Sequence, residues 1–370
     1  MIQTDFAVVY CPGAREMLNP EWIPLDEWAK MVKERLRPPP LWDPDLARHL
    51  HDLNSKGRVA FFDWRYLRMR VDALAADLEQ YEAEKVILWG NVACYSKMKD
   101  LAGRLKDEFI IMGELNGVLG RLMAERLPNC SKWDYPAKDL TPHLNLFDLE
   151  GYWRGSWLAH SMDTAMWKRR IPLSFSELKV TPRMAARVVR TAKLKYGFDS
   201  VSFLDDATAD SVWWLRMFRF LEEDECRFGF TIQTDFEKLD SGLVTKLREH
   251  GCRVVDLGDI PLPSLRGAGR RERFQGAVMA IERANVSPAL TYMLDGSESM
   301  NEICEATEFA LAHNLLHRPK ITEKYETATE KEWTQMNESF INPFKGFTDT
   351  ELLGILQLTE NGDLKRLREA

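Results

Sequence analysis

The sequence predicts an α/β protein in two parts: a smaller Rossmann-like, doubly wound domain, then a (β/α) unit forming a parallel sheet or a partial or full TIM-like barrel. Three observations predict it. Within Phe198–Leu221 the apolar period changes from that of a strand, Val201 to Leu204, to that of a helix, with Val212, Leu215, Met217, Phe218 and Leu221 at helix-like spacing. The same strand, acidic turn and helix then recur, in repeats of roughly 30 residues, as (β/α) units do. Finally, the N-terminal third alternates short apolar runs with helical stretches, the pattern of a doubly wound sheet.

In chain order, strands are predicted at Asp5–Gly13, Val59–Trp64, Val86–Asn91 and Phe109–Glu114, with helices at Arg70–Tyr81 and Tyr95–Lys106. Trp22–Pro40 reads as a helix leading into a stiff extended loop at Pro38-Pro39-Pro40. No GxGxxG turn follows any of these strands, because neither Gly113 with Gly117 nor Gly117 with Gly120 has the spacing, so a nicotinamide or flavin nucleotide is not supported. Pro, Asn, Asp and Lys dominate 127–150, which is taken as a linker between a domain at 1–126 and a barrel at 151–318, with a C-terminal extension at 319–370.

The second part opens with a strand near Gly151 and continues through Phe228–Thr234, Arg253–Gly258 and Ala289–Leu294. Helices follow at Ser241–His250, closed by Gly251, at Arg271–Ala284, and from about Met300 to His313. Each strand stops at aspartate: Asp205-Asp206, Asp235, Asp259 and Asp295. Parallel α/β folds hold ligands at that end, yet aspartate is also a favoured turn and cap residue, so these positions read either as a binding mouth or as turn chemistry. A doubtful strand lies beyond His317, and the tail from Ile321 either packs over the barrel or serves a partner.

Composition excludes several classes. The net charge is −7, so no broad basic surface favours nucleic acid, although Arg266, Arg270, Arg271 and Arg273 beside Gly267 and Gly269 form a local basic run. That run reads as a helix start or as an anion site. No apolar stretch is long enough to cross a bilayer and the N-terminus has no basic region before a long apolar core, which predicts no membrane and a cytoplasmic protein. Six dispersed cysteines, Cys11, Cys94, Cys130, Cys226, Cys252 and Cys304, offer neither a disulfide framework nor a zinc ribbon. There is no GxSxG elbow, P-loop or HExxH helix; His49 and His51 read as exposed, and His313 and His317 share a face only if their helix continues past Asn314.

Five segments carry a family resemblance: Arg154-Gly155, VSFLDD at Val201–Asp206, LVTKLREHGCRVVDLGD at Leu243–Asp259, AVMAIERANV at Ala277–Val286, and LTYMLDGSESMNEICEATEFA at Leu290–Ala310. Their order resembles the radical S-adenosylmethionine enzymes that carry an N-terminal cobalamin-binding-type domain. The resemblance implies a radical SAM-type barrel, with Asp205, Asp206, Gln233, Gly258 and Asp259 lining a site for S-adenosylmethionine or another small molecule. The family's CxxxCxxC motif falls on Ser156, His160 and Asp163, none of them a thiol, so an iron-sulfur cluster is not expected. Those three read either as a hard-ligand metal site, with Asp205 or Asp206 nearby, or as a loop that lost its cluster. The Asp-x-His-x-x-Gly turn of histidine-ligated cobalamin proteins is also missing, which leaves cobalamin implied by resemblance alone. Trp64, Trp89, Trp153, Trp157 and Trp167 suit stacking on a large planar ligand, or else fill a core or interface. Three functions stay open at this point: a degenerate, cluster-free protein that binds a ligand, a protein partner or a second copy of itself; a non-radical enzyme using the retained pocket; and a structural or assembly protein.

Overall fold

Two parallel sheets, with no strand shared between them, organise the chain. The computed structural model describes residues 2–11, 44–64, 71–89, 100–105, 109–112, 130–132, 144–145, 169–175, 180–261, 267–294, 297–321 and 364–369. The chain divides into one unit of Met1–Trp157 with Tyr325–Ile341 and another of Leu158–Lys324 with Asn342–Ala370.

The first unit contains β1 (Ile2–Tyr10), α1 (Pro44–Lys56), β2 (Val59–Asp63), α2 (Val71–Glu79), β3 (Tyr81–Trp89), β4 (Phe109–Met112) and β5 (Cys130–Lys132). Its strands lie in the order β2-β1-β3-β4-β5, all parallel. The order reverses at β1, so right-handed crossovers place α1 and α2 on opposite faces. Burial agrees with this. Ala7, Val9, Val86 and Leu88 join Val71, Leu74 and Leu78 of α2 in one cluster. Val8 and Ile87, equally inaccessible, point the other way. Gly57 lets α1 turn tightly into β2: a Cβ there would lie 2.6 Å from Asp5 Oδ2, the atom that accepts the Arg58 amide.

The second unit contains β6 (Arg170–Leu173), α3 (Pro182–Tyr196), β7 (Ser200–Asp206), α4 (Ser211–Glu223), β8 (Gly229–Gln233), α5 (Ser241–Glu249), β9 (Cys252–Pro261), α6 (Ala268–Arg283), β10 (Ser287–Leu294), α7 (Met300–Ala312), β11 (Leu316–Ile321) and α8 (Leu364–Glu369). Here the strands pair strictly in sequence order from β6 to β11. Successive right-handed crossovers then lay every connecting helix on the same face, as in a (β/α) barrel, and α3 packs on α4, α4 on α5 and α5 on α6. The helix-facing rows are apolar, with Phe203 at 5.1 Å from the Trp214 ring and Phe218 stacked 4.3 Å from Phe230. A left-handed residue closes each helix from α3 to α7, namely Gly197, Glu225, Gly251, Asn285 and Asn314, so each turns into the next strand by the same kind of corner.

Several predicted elements shift. β3 begins at Tyr81 rather than Val86, because the polar run Tyr81–Lys85 pairs with Ile2–Phe6 of β1. β5 arises inside the stretch read as linker, and β6 and α3 were not predicted at all. The doubtful strand past His317 is real: β11 pairs with β10 along six positions. His313 and His317 cannot share a helix face, since α7 stops at Ala312 and the positive φ of Asn314 turns the chain into β11. His49 is half-buried, its ring 5.1 Å from Trp89, because α1 lays it on the sheet. Of the basic run, Arg270, Arg271 and Arg273 fall in the first turns of α6, where Arg270 pairs with Glu237 at 2.8 Å, and Arg266 lies outside the described residues. The predicted segments at Trp22–Pro40 and near Gly151 lie outside the described residues, as does most of the tail. Its final helix, α8, packs on α7, with Arg368 hydrogen-bonded to Glu308.

Candidate functional site

Register assigns the inner face of the second sheet, the one turned away from the helices, to three rows of side chains. The lowest is Arg170, Ser200 and Gly229, and the next is Pro172, Ser202, Thr231 and Val254. The uppermost, at the carboxyl end of the strands, is Asp206, Gln233, Asp256 and Ala289. Closed (β/α) barrels fill this face with bulky branched residues. Here hydroxyl, amide and carboxylate side chains take most of those places, and the upper row forms the rim where parallel sheets hold ligands.

Bulges set that rim. Between Phe203 and Asp206, β7 advances three residues while β8 advances from Ile232 to Gln233. The extra length turns Asp205 toward β6, where its carboxylate accepts from Ser174 Oγ at 2.7 Å and from the Phe175 amide at 2.6 Å. Asp205 is 7% exposed, so both bonds form away from water and together hold the end of β6. Asp206 accepts from the Thr208 amide at 2.8 Å, from the Thr208 hydroxyl, and from the Asp235 amide at 3.2 Å. Asp235 in turn accepts from the Glu237 amide at 3.0 Å. A second bulge, in β9 opposite Leu290, puts Gly258 at φ 80, and its amide donates to Asp256 Oδ1 at 2.9 Å. Asp206, Asp235 and Asp256 therefore each bind the amide two residues on, the local turn that aspartate favours. Backbone bonds from Ala207 to the Gln233 carbonyl and from Thr234 to the Asp256 carbonyl, both 2.8 Å, stitch the three strand ends together.

The predicted residues accordingly divide. Asp205, Asp206, Gln233 and Gly258 stand at the carboxyl ends of three adjacent strands. Asp259 follows the bulge in β9 and pairs in register with Thr291. The two carboxylates of β7 are engaged by protein donors and shape the rim. Gln233 differs: its half-buried carboxamide makes no hydrogen bond among the described residues. In the neighbouring strand β9, a Cβ built on Gly258 would meet nothing within 4 Å among the described residues. Ser174, Thr208 and Asp256 complete the rim and were missed. The Asp-x-Thr and Asp-x-Gly spacings were the available signal, since each marks a carboxylate that can bond its own backbone.

Electrostatics at the rim centre on Asp235. Burial pushes its carboxyl up, but the Lys238 hydrogen bond, the Glu237 amide and the charges of Lys238 and Arg270 outweigh that, so it sits below the usual aspartate range. Lys238 lies 2.9 Å away.

Ser156, His160 and Asp163 lie outside the described residues, as do Trp153, Trp157 and Trp167. No group of three or more His, Cys, Asp or Glu side chains with metal-ligand geometry occurs among the described residues. The donor set that the family alignment provides, a hydroxyl, an imidazole and a carboxylate, does not fit an iron-sulfur cluster, which is held by thiolates. Nor do Cys226 and Cys252 stand at the rim. Cys226 precedes β8 and Cys252 opens β9, both at the opposite end of the strands, and burial holds the Cys252 thiol protonated. Trp64 and Trp89 are each 3% exposed, filling the first unit rather than presenting a stacking surface. No described helix is long and apolar enough to cross a membrane.

No protein-family model matches this chain, and no curated protein does. Among solved structures, it is similar to the radical S-adenosylmethionine methyltransferase TsrM from Kitasatospora setae with cobalamin and a [4Fe-4S] cluster bound, at 9% identity and TM-score 0.49, covering 86% of this chain and 75% of that one. The same enzyme with tryptophan and a SAM analogue matches at 10% identity and the same TM-score over 85% of this chain and 73% of that one. The catalytic domain of a chitinase from Pyrococcus furiosus matches at 12% identity and TM-score 0.28, over 76% and 92%.

Proposed function

We propose that this chain is a degenerate radical SAM-like protein that holds no iron-sulfur cluster and acts by binding a small molecule at the rim of its six-stranded sheet. The observation that carries this reading is Gln233: a carboxamide with no hydrogen-bond partner among the described residues, half-buried in a polar row, with Gly258 on the neighbouring strand, where a Cβ would meet no described atom within 4 Å. A carboxamide that the described protein groups leave unused can pair with a ligand that both donates and accepts. Asp205 and Asp206 hold the strand ends, while Gln233 and Gly258, with Asp259 next in sequence, meet the ligand. S-adenosylmethionine is the first candidate and cobalamin the second, each by resemblance. The same reading takes 1–126 as a cobalamin-binding-type domain, 151–318 as the barrel and the cytoplasm as the location.

Calorimetry on the purified full chain tests it. S-adenosylmethionine is expected to bind, and Gln233→Leu to weaken it about tenfold, the loss of one polar pair with the ligand. Uptake of neither S-adenosylmethionine nor cobalamin removes the ligand assignment. Iron and sulfide analysis with a visible spectrum after anaerobic reconstitution tests the rest: a colourless protein is expected, and a brown, cluster-loaded one overturns the degenerate reading.

A further inference from the structure

Helix α3 carries a charge pattern unlike the rest of the chain. Pro182–Tyr196 contains Arg183, Arg187, Arg190, Lys193 and Lys195 and no acid, in a protein whose net charge is −7. At 3.6 residues per turn, Arg183, Arg187, Arg190 and Leu194 fall on one stripe, flanked by Met184 and Lys195. The opposite side, Ala185, Ala186, Val188, Val189 and Ala192, is buried in the unit, so the stripe faces outward. Leu194 is 77% and Met184 47% exposed. Arg183 lies over the Phe220 ring and Lys193 bonds the Arg227 carbonyl, but among the described residues none of the five cations forms an ion pair.

We infer that the outer face of α3 is a docking site for a short acidic protein segment that also offers an apolar side chain. Charge complementarity selects the acid, because uncompensated guanidinium groups spaced along one stripe match carboxylates in geometry as well as sign. The exposed Leu194 on that stripe selects protein over nucleic acid, whose phosphates leave an apolar side chain uncovered. The segment is short because of the groups at the end of the helix. Glu222, Glu223, Asp224 and Glu225 are all exposed. Lys193 donates to the Arg227 carbonyl, three residues past Asp224, which places this acidic turn beside the last turns of α3. A long polyanion or a flat anionic membrane laid along α3 would run onto that turn and be repelled; a segment a few helical turns long stops before it.

Fluorescence anisotropy of a labelled synthetic helical peptide, with glutamates at i, i+4 and i+7 and one leucine between them, tests this on the full chain. Saturable binding is expected at low salt, weakening as ionic strength rises. The reversal Arg187→Glu with Arg190→Glu is expected to cut affinity about tenfold or more, and Leu194→Ser about threefold without changing the salt slope. Both variants alter exposed side chains, so their thermal unfolding should match the parent, and the salt series on the unaltered chain tests the charge term even if one of them does not fold. The inference fails if the peptide does not saturate at low salt, if the reversal leaves its affinity unchanged, or if polyuridylate or phosphatidylserine vesicles bind more tightly than the peptide and lose that binding on reversal.

Discussion

The two sheets are both parallel, yet they treat their faces in opposite ways. In β1 and β3 of the first sheet, consecutive residues Ala7, Val8 and Val9, and Val86 to Trp89, are all buried and all apolar, because the reversal of strand order sends crossovers to both sides. In β7 and β8 of the second, apolar residues alternate with polar ones: Val201 and Phe203 against Ser200 and Ser202, Phe230 and Ile232 against Thr231 and Gln233. Strand order alone accounts for the difference. A sheet that never reverses keeps its helices on one side, and the other face is released from packing against them. Polar residues thus gather where topology leaves a face without helices, and the candidate rim grows out of that face.

The largest expected effect breaks the apolar side of the second sheet. Phe203→Ala removes the ring that meets Trp214, Phe218 and Phe230, and should destabilise this unit by about 4 kcal/mol. Hydrogen exchange read by mass spectrometry should show lost protection in β7 and β8 while β1 and β3 keep theirs. Next, Val8→Ser puts a hydroxyl into the apolar carboxyl half of β1 and should cost about 3 kcal/mol, read as faster exchange in β1 and β3. The mirror experiment sharpens the contrast with the opposite sign. Ser202 is 1% exposed and its hydroxyl has no partner among the described residues, so Ser202→Ala should be neutral or stabilising by up to about 1 kcal/mol in urea unfolding. If Ser202→Ala instead destabilises the second unit by more than about 1 kcal/mol, the inner face is packed as tightly as the outer one.

The smallest effect concerns acid. The folded protein holds the Asp235 carboxyl below its ordinary value, so it binds that proton less readily than the unfolded chain does. The stability gained is complete at pH values above the unfolded pKa near ~4 and is lost as pH falls through the lower, folded value. Lys238 is exposed and the pair is open to solvent, so its contribution is small. The difference in urea midpoint between the parent and Asp235→Asn should therefore be present at pH 7 and disappear in strong acid. A difference that persists there assigns the effect to neutral hydrogen bonding.

Much of this architecture could be read from periodicity, and the failures have physical causes. The units from β7 to α7 announced themselves because strands of Val, Phe and Ile give way to helices with large apolar residues and aspartate caps, as at Asp210 and Asp240. Helix α3 escaped notice because its buried stripe is mostly alanine and valine, although Thr181, Pro182 and Gly197 marked its ends. β6 is four residues long and contains a proline, which fits an edge strand and carries little periodic signal. At the rim, sequence placed Asp205, Asp206, Gln233 and Gly258 on the correct ends of the correct strands. It could not separate the carboxylates that fold back onto the backbone from the carboxamide that does not, because that distinction rests on bulges invisible in a residue pattern.

Strand order has a further consequence, for the way the second unit is made. Every strand from β7 onward pairs with the one translated just before it, so a nascent chain leaving the ribosome can add one strand-and-helix module at a time to a growing edge. In the first unit β3 must return past β2 to reach β1, and its assembly waits for that longer excursion.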